Sequence, residues 1–246
     1  MKKLLLLTSA LLVISASMAM AAGDRVRLSW DDCGAAGAEV TANLCTSNAP
    51  ANDKFLVSSF FGPGTLPNWV GIRVIIKLSA DDGSIPDWWR NDGCHTSNGW
   101  QLTFPGAIGL ATCNDPWASS VNPPGGGYLW ISGDGGPARA TVYNDAARDT
   151  PEPINSGPEY YALVNVVKAI KTTGVGACVG CLEPVVLVLD EILLYQQVGS
   201  PGGDIISLKN SPTPATIACA KYNGGLSCEA TPARNATWGG LKKLYR

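Results

Sequence analysis

Charge is scarce in this chain of 246 residues: Asp, Glu, Lys and Arg make up 15%, and the formal net charge is −2. That scarcity excludes a strongly basic nucleic-acid binder, a coiled coil and a charged disordered tail. Histidine is almost absent. His95 is the single one, so a histidine-based metal site has no ligand set and a Ser-His-Asp hydrolase would depend on this residue alone. No Gly-x-Ser-x-Gly elbow accompanies it, and in Asn91-Asp92-Gly93-Cys94-His95 it reads as an ordinary loop residue. No repeat of fixed period is present, which argues against a solenoid or propeller. Beyond the leader no apolar run reaches the roughly 20 residues of a membrane span. The nearest, Val185–Leu194, carries Asp190 and Glu191.

Residues 1–22 read as a secretory signal peptide. Lys2 and Lys3 form the basic start, Leu4–Ile14 the apolar stretch, and Ala19-Met20-Ala21 a small-x-small cleavage site. The expected location is exported: periplasmic, cell surface or extracellular. No Cys follows the cleavage site to carry a lipid. Loss of the two leader lysines takes the net charge from −2 to −4. Within that, Arg234, Lys242, Lys243 and Arg246 against Glu229 give segment 229–246 a net +3, leaving −7 on the body.

Hydrophobic residues at 46%, with 28 Gly and 17 Pro, suit a loop-rich β protein with a sizeable core. Period-two alternation predicts strands at Arg25–Trp30, Phe55–Phe61, Trp69–Leu78, Trp100–Phe104, Tyr128–Ser132, Ala138–Tyr143, Tyr161–Lys171, Glu183–Gln197 and Ile205–Lys209. In Trp69–Leu78 the residues Val70, Ile72, Val74 and Ile76 share a face. Tyr161–Lys171 also fits helical spacing, but its Val and Ile content favours a strand. The predicted fold is all-β, a disulfide-stapled antiparallel β-sandwich over residues 23–210. Segment 211–232 reads as a Pro/Thr linker with a Cys-bridged hairpin, and 233–246 as a basic tail.

Eight cysteines in an exported chain predict disulfides. Pairing by sequence neighbours gives Cys33–Cys45, Cys94–Cys113, Cys178–Cys181 and Cys219–Cys228. The last has a geometric argument: a type I′ turn at Asn223-Gly224 would set Cys219 opposite Cys228 across a hairpin. Cys178-Val179-Gly180-Cys181 also has a thiol-disulfide oxidoreductase reading, although a redox pair belongs at a helix start in a βαβ unit.

The long stretches Ser79–Gly99 and Thr112–Gly127 hold the candidate binding residues. Trp88, Trp89, Trp100 and Trp117 fall in or beside them, and exposed rings there would stack on sugars; the alternative is that the rings cover a thin core. Asp81, Asp82 and Asp87 are calcium candidates that match no EF-hand spacing. Ser132-Gly133-Asp134-Gly135-Gly136 reads as a tight turn. A glycan-active carboxylate pair remains open, but nothing selects one. No cofactor is implied. The functional expectation is a secreted or cell-envelope binding or structural module, non-enzymatic, whose partner is an extracellular protein or glycan.

Five segments together carry a resemblance: Ser29-Trp30-Asp31-Asp32-Cys33, Pro86-Asp87-Trp88-Trp89, Glu159-Tyr160-Tyr161-Ala162, Lys171–Cys181 and Trp238-Gly239-Gly240-Leu241-Lys242-Lys243-Leu244-Tyr245-Arg246. With them the chain resembles a group of secreted bacterial proteins of no known activity. The resemblance implies a secreted β-rich fold and offers no catalytic residue. Such chains often carry a further Cys where Val186 stands here. The Trp238–Arg246 end reads either as a docking or sorting signal or as a frayed terminus.

Overall fold

Alternating apolar side chains build two stacked sheets, because a half-buried strand must cover its apolar face with another layer. The computed structural model describes residues 25–228, apart from 43–44, 82, 96–98, 121, 123, 211–217 and 225–226. Residues 1–22, expected as a leader, and the 229–246 tail therefore lie outside the described residues. The strands are β1 (Val26–Trp30), β2 (Val40–Thr41), β3 (Lys54–Phe61), β4 (Leu66–Ala80), β5 (Trp100–Thr103), β6 (Gly125–Ser132), β7 (Arg139–Ile154), β8 (Glu159–Val167), β9 (Val185–Gln196), β10 (Ile205–Lys209) and β11 (Cys219–Tyr222). Among the described residues the only helical pieces are short 3-10 turns, Gly34–Ala36, Pro50–Asn52 and Pro105–Ile108.

The first sheet runs β1-β3-β8-β5 and the second β2-β11-β9-β4-β7-β6, with β10 also on β9. The pairs are antiparallel except β2 with β11, which is parallel. One correction to the expected face of β4 follows from a register shift between Trp69 and Gly71. A bulge there turns Trp69 into the core and leaves Val70 only half-buried, while Ile72, Val74 and Ile76 face inward as expected. A second bulge in β9, opposite Ile75 and Ile76, accommodates Asp190. Its carboxylate meets Lys77 at 2.8 Å and that of Glu191 accepts from Ser207, which is how two acids fit inside an apolar run.

The C-terminal part of the sandwich differs from expectation. β11 is not one arm of a hairpin: β9 occupies one of its edges and β2 the other. β10 pairs with residues 191–195 of β9, and β11 with residues 185–188. The two are thus halves of one interrupted strand along the same edge. The Asn210 side chain closes the interruption, accepting from the Ala218 N–H at 2.8 Å and donating to the Ala218 carbonyl at 3.4 Å. Of the segment expected as a linker with a hairpin, 211–232, residues 219–222 are this strand β11, while 211–217 lie outside the described residues. Tyr222 is fully buried, with ring contacts to Trp89 at 4.8 Å, Trp88 at 5.7 Å and Trp30 at 6.1 Å.

Candidate functional site

The tryptophans expected as a sugar platform are core residues. Trp88, Trp89, Trp100 and Trp117 are 0%, 2%, 3% and 3% exposed. Their rings pack on one another and on Tyr222, and Trp117 stands edge-on to Trp69 at 4.7 Å. The Trp88 and Trp117 indoles donate to the Ile170 and Ala162 carbonyls. No ring face is left for a sugar. The long loops fold back over the sandwich because a thin two-sheet core leaves aromatic area to cover.

His95 is buried and stacked on Trp88 at 4.6 Å. Burial pulls its pKa down to about 4, against the opposing pull of backbone groups of Ile170, Lys168 and Trp88. It is a neutral packing residue. A Cβ on Gly99 would come within 2.4 Å of the ring, so this glycine is required by close approach.

Three of the four expected cysteine pairings are corrected. Bonds join Cys33 to Cys113, Cys45 to Cys181 and Cys94 to Cys178, while Cys219 does bond Cys228. Cys178 and Cys181 have different, distant partners, so they do not form a redox pair with each other. The Cα atoms of Cys219 and Cys228 are 6.0 Å apart, wider than a hairpin would hold them. Of the calcium candidates, Asp81 is exposed and Asp87 pairs with Arg90, while Asp82 lies outside the described residues. Among the described residues the one cluster with metal-like spacing is Glu39, Cys219 and Cys228, whose sulfurs are spent in a disulfide.

Four of the five segments that carried the resemblance meet as scaffolding, and the fifth, Trp238–Arg246, lies outside the described residues. Asp32 accepts hydrogen bonds from Thr112 Oγ1 at 2.5 Å, Tyr161 Oη at 2.7 Å and the Cys33 N–H at 2.8 Å. Burial works against its charge, but these donors outweigh it and hold the carboxyl below its ordinary value. The Tyr161 phenol is pushed up by burial and by Asp32. Glu159 accepts from Ser59 at 2.6 Å and Arg27 at 3.3 Å. The Trp88 N–H bonds the Val179 carbonyl, tying the paired tryptophans to the Cys178–Cys181 turn.

The surface with spare binding capacity is the outer face of the second sheet at the β6 end. Registers place Gly125, Ala147, Gly71 and Tyr195 side by side across β6, β7, β4 and β9. This row of small residues floors a trough of about 400 Å³, with Tyr195 at one end and Gly127 and Asp145 alongside. Gly125 and Gly127 are not needed by the fold. Neither has a positive φ, and an added Cβ would meet nothing within 4 Å at either. Glycine inside a strand weakens it by about 0.5–1 kcal/mol relative to Ala, and commonly marks close approach by a ligand or another backbone. Next in β6 come Leu129, 58% exposed, and Ile131, 39% exposed.

The sequence reading missed this site because it took Gly125–Gly127 as the end of a loop. The available signal was three glycines running directly into an alternating strand. Comparison with family models, curated proteins and solved structures finds no match. Among the described residues no helix is long and apolar enough to cross a membrane.

Proposed function

We infer that this is an exported, non-enzymatic binding or structural module that engages its partner through the outer face of the second sheet. The observation that carries the reading is the trough floored by Gly125, Ala147 and Gly71, where at Gly125 and at neighbouring Gly127 the fold gives up side chains it has room for. Four disulfides suit the oxidising compartment that the 1–22 leader implies. The groups that catalysis or thiol exchange would use are engaged elsewhere: His95 in packing, the cysteines in cross-links, and Asp32 and Glu159 in structural hydrogen bonds.

The test has two arms. Fractionation of cells expressing the full chain is expected to place it outside the cytoplasm, with its N-terminus at residue 22 or 23. The oxidised protein is then titrated onto isolated cell-wall sacculi, outer-membrane vesicles and a glycan array. Retention on one of these, weakened at least tenfold by Gly127→Val, supports the reading, since a new side chain there fills the trough. Retention unchanged by Gly127→Val, no retention on any probe, or turnover of a glycan or thiol substrate overturns it.

A further inference from the structure

The connection between β8 and β9 turns aliphatic side chains outward. Val175, Val179 and Leu182 are 111%, 71% and 64% exposed. A lone exposed aliphatic such as Val198 needs no explanation, but three within one short loop do. The loop is not exposed for want of anchors. Cys178 and Cys181 within it are buried and bond Cys94 and Cys45. The Thr172 N–H donates to Asn48 Oδ1 at 2.7 Å and its hydroxyl to the Ser47 carbonyl at 2.8 Å. The Val179 carbonyl accepts from the Trp88 N–H at 2.9 Å, and the Cys181 carbonyl from Asn223 Nδ2 at 3.0 Å. Backbone bonds from Ala177 to Gly174, Cys178 to Lys171 and Glu183 to Gly180 close its turns. Two cross-links therefore fix the loop while its aliphatic side chains stay in water, so an apolar partner meets them already in place, at little ordering cost.

The chemistry of the loop selects the partner. Residues 172–182 contain neither a charge nor an aromatic ring. Lys171, which precedes them, turns its ammonium back to the Cys94 carbonyl at 2.6 Å. Protein hot spots draw on Trp, Tyr and Arg, and none of these is in the loop. An anionic lipid surface is disfavoured as well, because residues 23–228 carry a net −7. Bare aliphatic side chains ask for no hydrogen bonds, and they suit the boundary between headgroups and acyl chains of an uncharged bilayer.

We propose that the 172–182 loop is a membrane-contact tip, which inserts Val175, Val179 and Leu182 into the surface of a zwitterionic phospholipid bilayer. This goes beyond the trough on the second sheet and does not depend on it. The contact is apolar and small, so it holds the molecule at the surface reversibly and does not span the membrane.

The full chain, disulfides intact, is sedimented with protein-free phosphatidylcholine/phosphatidylethanolamine vesicles at millimolar lipid. Reversible binding is expected, with a partition constant on the order of 10³ M⁻¹, below that of a single myristoyl chain. Added salt is expected not to weaken it. Val179→Asp/Leu182→Asp is expected to weaken binding about 30-fold or more. Its circular dichroism and melting temperature are expected to match the parent, because both side chains are exposed. In Val175→Trp, emission beyond the parent's own is expected to shift to the blue when vesicles are added. Val198→Trp is expected to show no such shift, since it lies past the far end of the 12-residue β9, about 40 Å away. A parent that stays in the supernatant, binding unchanged in Val179→Asp/Leu182→Asp, equal shifts at both probes, or binding confined to anionic vesicles and lost in salt overturns the proposal. A parent held through this loop by outer-membrane vesicles but not by protein-free ones overturns it in favour of a protein partner. In the Val179→Asp/Leu182→Asp background the Gly127→Val comparison reads the trough alone, so the two readings fail separately.

Discussion

A buried imidazole and a buried cation show how single side chains were committed to structure. His95 has a folded pKa of about 4, below the ordinary 6.5. Between those values the unfolded chain takes up a proton that the folded one refuses, so stability falls as pH drops from about 6.5 to about 4. The full loss is about 3 kcal/mol. His95→Gln is expected to flatten the acid limb of a pH–stability curve in that window, measured by urea denaturation. An unchanged slope would remove His95 as its cause. Arg148 has a fully buried side chain that donates to the Pro116 carbonyl at 2.5 Å and to Ser119 and Glu152, holding the 116–119 turn onto β7. It also stands 5.8 Å over the Trp69 ring. Neither residue's role follows from the residues adjoining it in the chain, because the Trp88 ring and the 116–119 turn are brought against them by the fold.

At the scale of elements, alternation is a local property and located all nine predicted strands, although it set Val70 on the inner face of β4 and ran β8 on to Lys171 where the strand ends at Val167. It was silent where strands lack it. β7 continues to Ile154 through polar residues held by β4, and β2 has only two residues. The β10–β11 edge is the instructive failure. Ser211-Pro212-Thr213-Pro214 looks like a departure from the domain, yet the chain returns to the same edge of β9, because β9 still has unpaired backbone at residues 185–188. Asn210 holds that return, so Asn210→Ala is expected to cost about 1–2 kcal/mol and to raise the rate of proteolytic cleavage between residues 210 and 218. Equal cleavage rates in both proteins would show that the side chain does not close it.

For the whole molecule, the cross-links are the main constraint on the unfolded chain. Cys45–Cys181 spans 136 residues, Cys94–Cys178 spans 84 and Cys219–Cys228 spans 9. Loop-closure entropy ranks their contributions at about 5, about 4.6 and about 2.7 kcal/mol. Paired Cys→Ser variants, compared by guanidinium denaturation, are expected to lose stability in that order. A non-reducing peptide map is expected to return Cys33–Cys113, Cys45–Cys181 and Cys94–Cys178, and finding Cys178 linked to Cys181 would refute this architecture.

What the residues determined alone is what short-range physics can carry: apolar alternation that makes strands, a turn-rich composition that makes a sandwich, and enough cysteines to cross-link it. The Cys219–Cys228 bond also belongs here, since ten residues keep its ends close in any fold. Tertiary structure decided everything that depends on which distant segments meet. It chose the partners of the other six cysteines, put the loop tryptophans under cover and brought Tyr222 into the core. It also laid a floor of glycine and alanine across the outer face of the second sheet. Those outcomes turn on the packing of two sheets, where a strand's edge and a ring's exposure are set by neighbours far away in the chain.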